Sequence, residues 1–374
     1  LRDLERERDL LSRIGKEAQK RGLNAFQVVK VFRDVVEASV RQQESRLGRA
    51  ANEGAEPGLL RVAFQGSEGA YSHLAGKKFF SDRPDEPIFV GYRSFRQAVE
   101  AVERGECEYG ILPLENSVAG SINETYSLLG ASKLSIVGEE VWPVEHCLLG
   151  VAKVPLARVR RIYSHPQALM QCSEFLEGLP NATEESFFDT AASVIKVKEL
   201  GSEENAAIAS EEAAGLHGLV VLRRDIANQR SNQTRFVVVH RRRFRFDPRI
   251  PCRTSLLLVT DHREGALERC LAELSSAGIN MTKLESRSMP GTAWGYQFYV
   301  DVGGSVEDPR LTAALEGIGR SARYLRVLGC YPRKTDPARE VPKDVDLLPE
   351  ASPAAAPTEA PVPAESRVAY PLAA

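Results

Sequence analysis

Long apolar runs, paired cysteines and a surplus of either charge are missing from this chain. No stretch approaches the ~20 consecutive apolar residues a membrane span needs, and the charged amphipathic N-terminus has no apolar signal-peptide core. The 49 Lys and Arg residues against 51 Asp and Glu leave a formal net charge of -2, which gives no electrostatic footprint for nucleic acid or an anionic membrane. Small molecules and further copies of the chain are the expected partners. The six cysteines (Cys107, Cys147, Cys172, Cys252, Cys270 and Cys330) include no CxxC pair and no zinc-ligand spacing. They read as reduced, mostly buried thiols of a cytoplasmic protein. Aromatic residues nearly vanish after Lys334 while Pro, Ala and Glu accumulate, so 334–374 cannot offset its ordering entropy and is expected to be a disordered tail. At 374 residues, and about 150 per domain, the rest should form two or three domains.

What is present is a series of polar clusters at the mouths of short apolar runs. Asn232-Gln233-Thr234-Arg235-Phe236 sets a hydroxyl, a permanent cation and two amides before Val237-Val238-Val239, a β-branched run that predicts a buried strand. Two readings stand at this point: a loop that caps a strand, or a ligand site at the strand end of an open α/β sheet. Leu60–Phe64 predicts a strand running into the glycine-containing turn Gln65–Ser72, which offers free N–H groups but has neither GxGxxG nor Walker spacing. Tyr109–Leu114 leads into Glu115-Asn116-Ser117, for which helix capping is the alternative account. Ser164-His165 stand before Pro166-Gln167-Ala168-Leu169, where proline suits a first helical turn, and Asp189-Thr190-Ala191-Ala192 opens another helix. Ala206–Ala209 and Leu219–Leu222 read as buried strands. Five or six strand ends therefore deliver hydroxyls, amides and helix N-termini with few carboxylates, which suits a small polyanion. Short strands alternating with helices predict a doubly wound α/β sheet in two lobes, with the ligand between them.

The ends of the chain have different patterns. Leu1 to Gly48 is helical, broken at Arg21-Gly22-Leu23-Asn24, where Gly can end one helix and Asn24 cap the next. Glu7 falls on the apolar stripe of the first helix, and Ser39 and Gln43 fall on that of the second. They are either hydrogen-bonded core or the lining of a pocket. Ala51 to Gly58 reads as a linker, and His240-Arg241-Arg242-Arg243 as a solvated one. Beyond it a βαββαβ pattern has strands near Ser255–Thr260, Ile279–Ser288, Trp294–Val302 and Tyr324–Tyr331, helices near Glu264–Ala277 and Pro309–Arg320, and a hairpin turn at Met289-Pro290-Gly291-Thr292.

Four ordered motifs carry a family resemblance. Pro113-Leu114-Glu115-Asn116-Ser117, Ser164-His165-Pro166-Gln167-Ala168-Leu169, Asp189-Thr190-Ala191-Ala192 and Asn232-Gln233-Thr234-Arg235-Phe236 are similar to the motifs of prephenate dehydratases. The βαββαβ segment resembles the amino-acid-binding ACT module through Gly265-Ala266-Leu267 and Glu285-Ser286-Arg287-Ser288, although Ser288 stands where those dehydratases usually have proline. Leu1-Arg2-Asp3-Leu4-Glu5-Arg6-Glu7 and the Ser39, Gln43 pair look like the second and third helices of an all-helical chorismate mutase. The implied domains are a partial mutase piece at 1–50, a dehydratase domain at 59–240, an ACT domain at 252–332 and the tail at 334–374.

The resemblance implies a multidomain α/β protein whose dehydratase domain is like a type 2 periplasmic binding protein, the chain crossing between lobes twice and its last strand, Thr234–Val239, returning to the first. Prephenate would be the substrate and phenylpyruvate the product, with no metal or organic cofactor. Thr234 is the implied donor to the leaving hydroxide, by proton transfer or by orienting it. Arg235 is expected to grip a carboxylate as a bidentate cation. Glu115, Asn116, Ser117, Ser164, His165, Gln167, Thr190 and Asn232 are expected to bind or polarise, with Glu115 and His165 alternatively ordering loops. Phenylalanine is the implied effector, at Gly265, Ala266, Leu267, Glu285, Ser286 and Arg287, in a homodimer or homotetramer. Asp3, Arg6, Glu7, Ser39 and Gln43 match mutase positions. That family's long first helix, with two arginines and a following lysine, has no counterpart in the sequence given, so mutase activity is expected only with it. A non-catalytic, two-lobed amino-acid sensor is the competing reading, from which Thr234-Arg235-Phe236 would distinguish an enzyme.

Overall fold

The computed structural model describes residues 4–51, 60–83, 85–229, 231–289, 291–292 and 295–334. Asp3, the linker beyond Ala51 and the expected tail from 335 lie outside these residues. Helices α1 (Leu4–Lys20) and α2 (Ala25–Ala51) pack on each other as a hairpin. Gly22 turns the chain at φ +69°, and the Asn24 side chain accepts from the Gln27 N–H at 3.2 Å, capping α2 as its sequence predicts.

The first lobe comprises β1 (Arg61–Gln65), α3 (Tyr71–Phe79), β2 (Ile88–Tyr92), α4 (Phe95–Arg104), β3 (Tyr109–Asn116), β4 (Gly120–Ser121), α5 (Asn123–Ala131) and β5 (Ser135–Pro143). The second lobe comprises β6 (Cys147–Gly150), β7 (Arg161–Ser164), α6 (Pro166–Gln171), α7 (Ser173–Glu177), β8 (Thr183–Ser186), α8 (Thr190–Leu200), β9 (Asn205–Ala209), α9 (Glu211–His217) and β10 (Val220–Arg223). The chain then returns as β11 (Gln233–His240), which inserts between β3 and β5 of the first lobe. Both sheets are mixed. Strand β1 pairs parallel with β2 and β3, and β7 with β8 and β9, but β11 runs antiparallel to β3 and β5, and β6 to β9 and β10. A strand that re-enters from the other lobe arrives in the opposite direction, which the expectation of a simple doubly wound sheet had not included.

The C-terminal segment folds as β12 (Cys252–Val259), α10 (Ala266–Ser276), β13 (Met281–Ser288), β14 (Tyr296–Gly303), α11 (Pro309–Ser321) and β15 (Tyr324–Pro332). Its antiparallel order β15-β12-β14-β13 is the ferredoxin-like arrangement. Less expected is its junction. Strand β15 pairs parallel with β5, so the module and the first lobe share one ten-stranded sheet.

Alternation along β11 sorts the core. Val237 and Val239 pack in a cluster that contains Leu257, Tyr299, Leu328 and Tyr331 of the module, whereas Phe236 and Val238 pack with Val62, Phe64 and Ile111 on the other face. Each such side chain contributes about 1.5–3 kcal/mol by leaving water, so the module shares the first lobe's core. The basic stretch is solvated only beyond its first residue: His240 is buried in β11, whereas Arg241, Arg242 and Arg243 are exposed, Arg241 donating to the carbonyls of Val102 and Cys107. Those carbonyls lie at the C-terminal end of α4 and just beyond it, where a cation is favoured. All six cysteines are free thiols, and no described helix is long and apolar enough to cross a membrane.

Gly329 sits opposite Ile136 where β15 meets β5, and a Cβ there would run into the Ile136 backbone carbonyl. Gly329→Ala is expected to destabilise the chain by about 1–3 kcal/mol, the usual result of overpacking against an immovable neighbour. It should also open β15 to limited proteolysis. A melting temperature and cleavage pattern equal to those of the unsubstituted chain would contradict the junction.

Candidate active site

A cavity of about 560 Å³ opens between the lobes, within the range of roughly 300–1,000 Å³ typical of small-molecule sites. Strand ends and helix starts build it. From the first lobe come Arg93, just after β2, Pro113 and Asn116 on β3, Ser121 on β4, and Thr234 and Phe236 on β11. From the second come His146, His165, Gln167 and Gln171, with Asp189 and Thr190 at the start of α8. Asp189 caps that helix, accepting from the Ala192 N–H at 2.7 Å, and its other oxygen accepts from the Ser67 amide and hydroxyl at 3.2 Å, which ties the glycine turn to the second lobe. The helix N-terminus behind Thr190 thus lies at the cavity with its positive dipole end met by the Asp189 carboxylate.

Thr234 and Asn116 form the centre. They are cross-strand partners, and the Asn116 amide donates to Thr234 Oγ1 at 2.9 Å and to Asn232 Oδ1 at 2.6 Å. The Asn116 oxygen is occupied by the Val118 and Ala119 N–H groups at 3.0 and 2.8 Å, so the side chain is fixed at both ends. Thr234 therefore accepts from Asn116 and keeps its own proton to donate; no described residue takes it. Asn232 continues the chain to Gln171 at 3.2 Å, and Gln171 Oε1 meets His146 Nε2 at 2.9 Å. His146 Nδ1 lies 3.1 Å from the Tyr71 hydroxyl. Burial lowers the His146 pKa, which keeps the ring neutral, and Nε2 then donates to the Gln171 oxygen. Burial likewise pushes the Tyr71 hydroxyl well above its ordinary range. His165 is also lowered by burial, and its Nδ1 accepts from the Gln167 N–H at 3.1 Å, capping α6.

The anticipated residues separate into two groups. Thr234, Asn116, His165, Gln167 and Thr190 meet at the cavity. Ser164 is fully buried and donates to the Ile208 carbonyl at 2.7 Å; Ser117 staples two loops, donating to the Ser231 carbonyl and accepting from the Gln233 N–H; Asn232 stands behind Asn116. Arg235 and Glu115 require a correction. Neighbouring strand residues face opposite ways, so Arg235 points away from the cavity, toward the C-terminal module. Its Nε donates to Glu115 at 2.6 Å and its two terminal nitrogens to Glu139 at 3.1 Å and Asp301 at 2.7 Å. It is 7 % exposed, and each of its three nitrogens already donates to a carboxylate. Burial alone would push the Glu115 carboxyl up, but Arg235 and Lys283 outweigh it and hold the group below the ordinary carboxylate range.

Arg93, His146, Gln171 and Tyr71 line the cavity without having been anticipated. The strand-end rule that singles out Asn116 applies equally to Arg93, which follows β2 directly; Tyr71 lies in the glycine turn Gln65–Ser72, read there only for its N–H groups, and His146 and Gln171 belong to no motif. Arg93 is the one permanently cationic side chain among the described lining residues.

A second cavity, of about 850 Å³, lies in the C-terminal module and is lined by Gly265, Ala266 and Leu267 together with Asp261, Tyr296 and Phe298. Gly265 has φ +69°, a left-handed conformation that suits glycine. Glu285 and Arg287 are not in that lining: Glu285 accepts from the Ser121 hydroxyl at 2.8 Å and Arg287 lies over the Tyr126 ring. Ser286, between them, is exposed on the opposite face of β13. In the helical hairpin Arg6, Ser39 and Gln43 are exposed and Glu7 is half-buried, so no enclosed pocket forms around them among the described residues.

Known proteins resemble this chain along most of its length. The family model for prephenate dehydratase matches residues 62–243. A bifunctional chorismate mutase/prephenate dehydratase of Enterobacter agglomerans is 38% identical over 332 residues, 89% of this chain and 86% of that protein. A bifunctional N-acyl-homoserine lactone acylase/prephenate dehydratase of Komagataeibacter europaeus is 39% identical over 274 residues, 72% of this chain and 95% of its own. Among solved structures, the prephenate dehydratase of Arthrobacter aurescens in complex with L-Phe superposes with a TM-score of 0.66 at 28% identity, over 73% of this chain and 90% of that one. A two-lobed cleft centred on paired Thr234 and Asn116, with relatives of this name along most of its length, makes the chain a member of the prephenate dehydratase family.

Proposed function

We propose that the chain is a prephenate dehydratase, a carbon–oxygen lyase of aromatic amino acid biosynthesis, with its dehydratase domain at 59–240. The observation that carries this is the Thr234 hydroxyl, which accepts from Asn116 and has its proton free at the cavity. Prephenate carries two carboxylates and a ring hydroxyl opposite one of them. As that carboxylate leaves as CO2, its bonding pair enters the ring, and the C–O bond on the far side breaks to complete the aromatic ring of phenylpyruvate. Hydroxide is a poor leaving group. A donor placed at it contributes about 10²–10⁴-fold in rate, and Thr234 is the group aimed there. Arg93 supplies positive potential for the carboxylates and Thr190, at the start of α8, a hydroxyl donor, in place of the Arg235 contact expected from sequence. Asn116, His165 and Gln167 are assigned to orienting the substrate, and Ser117, Ser164 and Asn232 to holding the walls. A passive sensor would have no use for a free hydroxyl donor set against an amide.

The test is incubation with prephenate, followed by the absorbance of phenylpyruvate in alkali. Turnover is expected, and Thr234→Ala should lower kcat about a hundredfold or more with KM little changed, the mark of a contact made in the transition state. Thr234→Ser should keep much of the rate. No turnover by the unsubstituted chain would defeat the reading, and wild-type kcat in the alanine variant would remove Thr234 from the mechanism.

The module at 252–332 is proposed to be an ACT regulatory domain that binds phenylalanine and works in a dimer or tetramer. The cavity beside Gly265 and the L-Phe complex of the Arthrobacter aurescens protein support this. Calorimetry should show phenylalanine binding that Gly265→Val abolishes, since valine is strained at that φ and its Cβ would press on Arg269. Equal binding heat in the variant would place the effector elsewhere.

Chorismate mutase activity is the second reading, favoured by the α1–α2 hairpin and by the bifunctional name of the Enterobacter agglomerans relative. Because Arg6, Ser39 and Gln43 stand exposed, this chain by itself is expected not to convert chorismate. Measured turnover of chorismate would show that the hairpin assembles a site from the residues it has.

A further inference from the structure

We infer that the buried ion cluster behind Thr234 is a positioning device through which the C-terminal module sets the catalytic face. Arg235 and Asp301 are then positioning residues for the dehydration, and the inference rests on the dehydratase reading above. One pair of strands carries both sets of groups. Thr234 and Asn116 are cross-strand partners facing the cavity, and Arg235 and Glu115, the adjacent pair, face the module. Consecutive Cα atoms are about 3.8 Å apart, so whatever fixes Arg235 fixes the Thr234 backbone as well. The register between β11 and β3 shifts immediately after this pair, a kind of irregularity that re-aims side chains beside active sites.

Three elements hold the guanidinium: Glu115 on β3, Glu139 on β5 and Asp301 on β14. Asp301 is itself fixed, since its second oxygen accepts from the Ser255 hydroxyl at 2.5 Å and Ser255 lies 2.7 Å from the Tyr331 hydroxyl. Lys283 and Arg253 of the module bind Glu115 and Glu139, which balances three cations against three carboxylates. A charge set of this kind, buried at Arg235, Glu139 and Asp301 and reaching water chiefly at its Glu115 rim, tolerates few alternative arrangements and so specifies register more than it adds stability. The module reaches the cavity wall as well. Lys283 donates to Ser121 at 3.0 Å, Ser121 donates to Glu285, and Ser121 lines the cavity. Removing the module's charges would leave the Thr234–Asn116 pair on a face whose far side is no longer clamped.

Steady-state dehydratase kinetics on the whole chain test this, with kcat normalised to the folded fraction given by calorimetric unfolding enthalpy. Asp301→Asn and Arg235→Lys are expected to lower kcat per folded molecule about tenfold or more while KM stays within about twofold. Lys283→Met, on the rim of the cluster, should give a smaller loss of several-fold in kcat, and it carries the test if Asp301→Asn does not fold. A tenfold rise in KM at unchanged kcat in Arg235→Lys would show the guanidinium to be a substrate ligand and overturn the inference. Unchanged kcat in Asp301→Asn, or in Lys283→Met where Asp301→Asn does not fold, would overturn it too. Absence of turnover in the unsubstituted chain would instead defeat the dehydratase reading, so the two failures are distinct.

Discussion

Strand β11 has two faces, and that constraint governs both the site and its setting. Period-two alternation puts Thr234, Phe236 and Val238 toward the cavity and the α3 side, and Arg235, Val237 and Val239 toward the C-terminal module. The strand is the last to enter the first-lobe sheet and lies between β3 and β5. It therefore joins three parts of the molecule at once: the first lobe beside it, the second lobe across the cavity, and the module behind. A single residue step separates a neutral hydroxyl at the reacting centre from a cation in a buried charge cluster. Exchanging those two positions would strand the guanidinium's three carboxylate partners, and breaking one such buried pair costs about 3–5 kcal/mol.

The formal charges of the cavity are few: Arg93, Glu124 and the Asp189 that caps α8. Hydroxyls, amides and neutral imidazoles line most of it, burial having lowered the pKa of His146 and His165, and the exposed Arg93 stands at its edge. For a dianion that must lose both CO2 and hydroxide this is a workable balance. A tightly held counter-ion at the departing carboxylate would stabilise the ground state as much as the transition state, and uniform binding does not raise kcat. Fixed hydrogen bonds serve better at the hydroxide, where charge develops only as the bond breaks. The chain from Tyr71 through His146, Gln171, Asn232 and Asn116 to Thr234 joins residues of both lobes, so the donor is held by the second lobe as well as the first.

Much of this could be read in advance, for identifiable reasons. Val237-Val238-Val239, the small-residue strand at Ala206–Ala209 and the cap at Asn24 are local signals, and local signals suffice for elements. Thr234, Asn116, Gln167 and Thr190 were accessible because strand ends and helix starts gather in an α/β cleft. Arg235 was misassigned although the sequence contained the answer: in a strand it cannot share a face with Thr234. Its partners Glu139 and Asp301 lie 96 and 66 residues away, in segments with no motif, so their meeting was not legible. The same holds for Gly329, whose missing side chain lets β15 lie against β5, and for His146 and Gln171, which become site residues only when the second lobe is folded against the first.

The direct test of the central claim, that the two faces of β11 divide chemistry from clamping, is a crystal structure of the chain with a stable dicarboxylate analogue that keeps the ring hydroxyl of prephenate. The account predicts that hydroxyl within about 2.5–3.0 Å of Thr234 Oγ1. It also predicts a carboxylate at Arg93 or at the start of α8, with Arg235 still bound to Glu115, Glu139 and Asp301. A carboxylate of the analogue seated on the Arg235 guanidinium would contradict it.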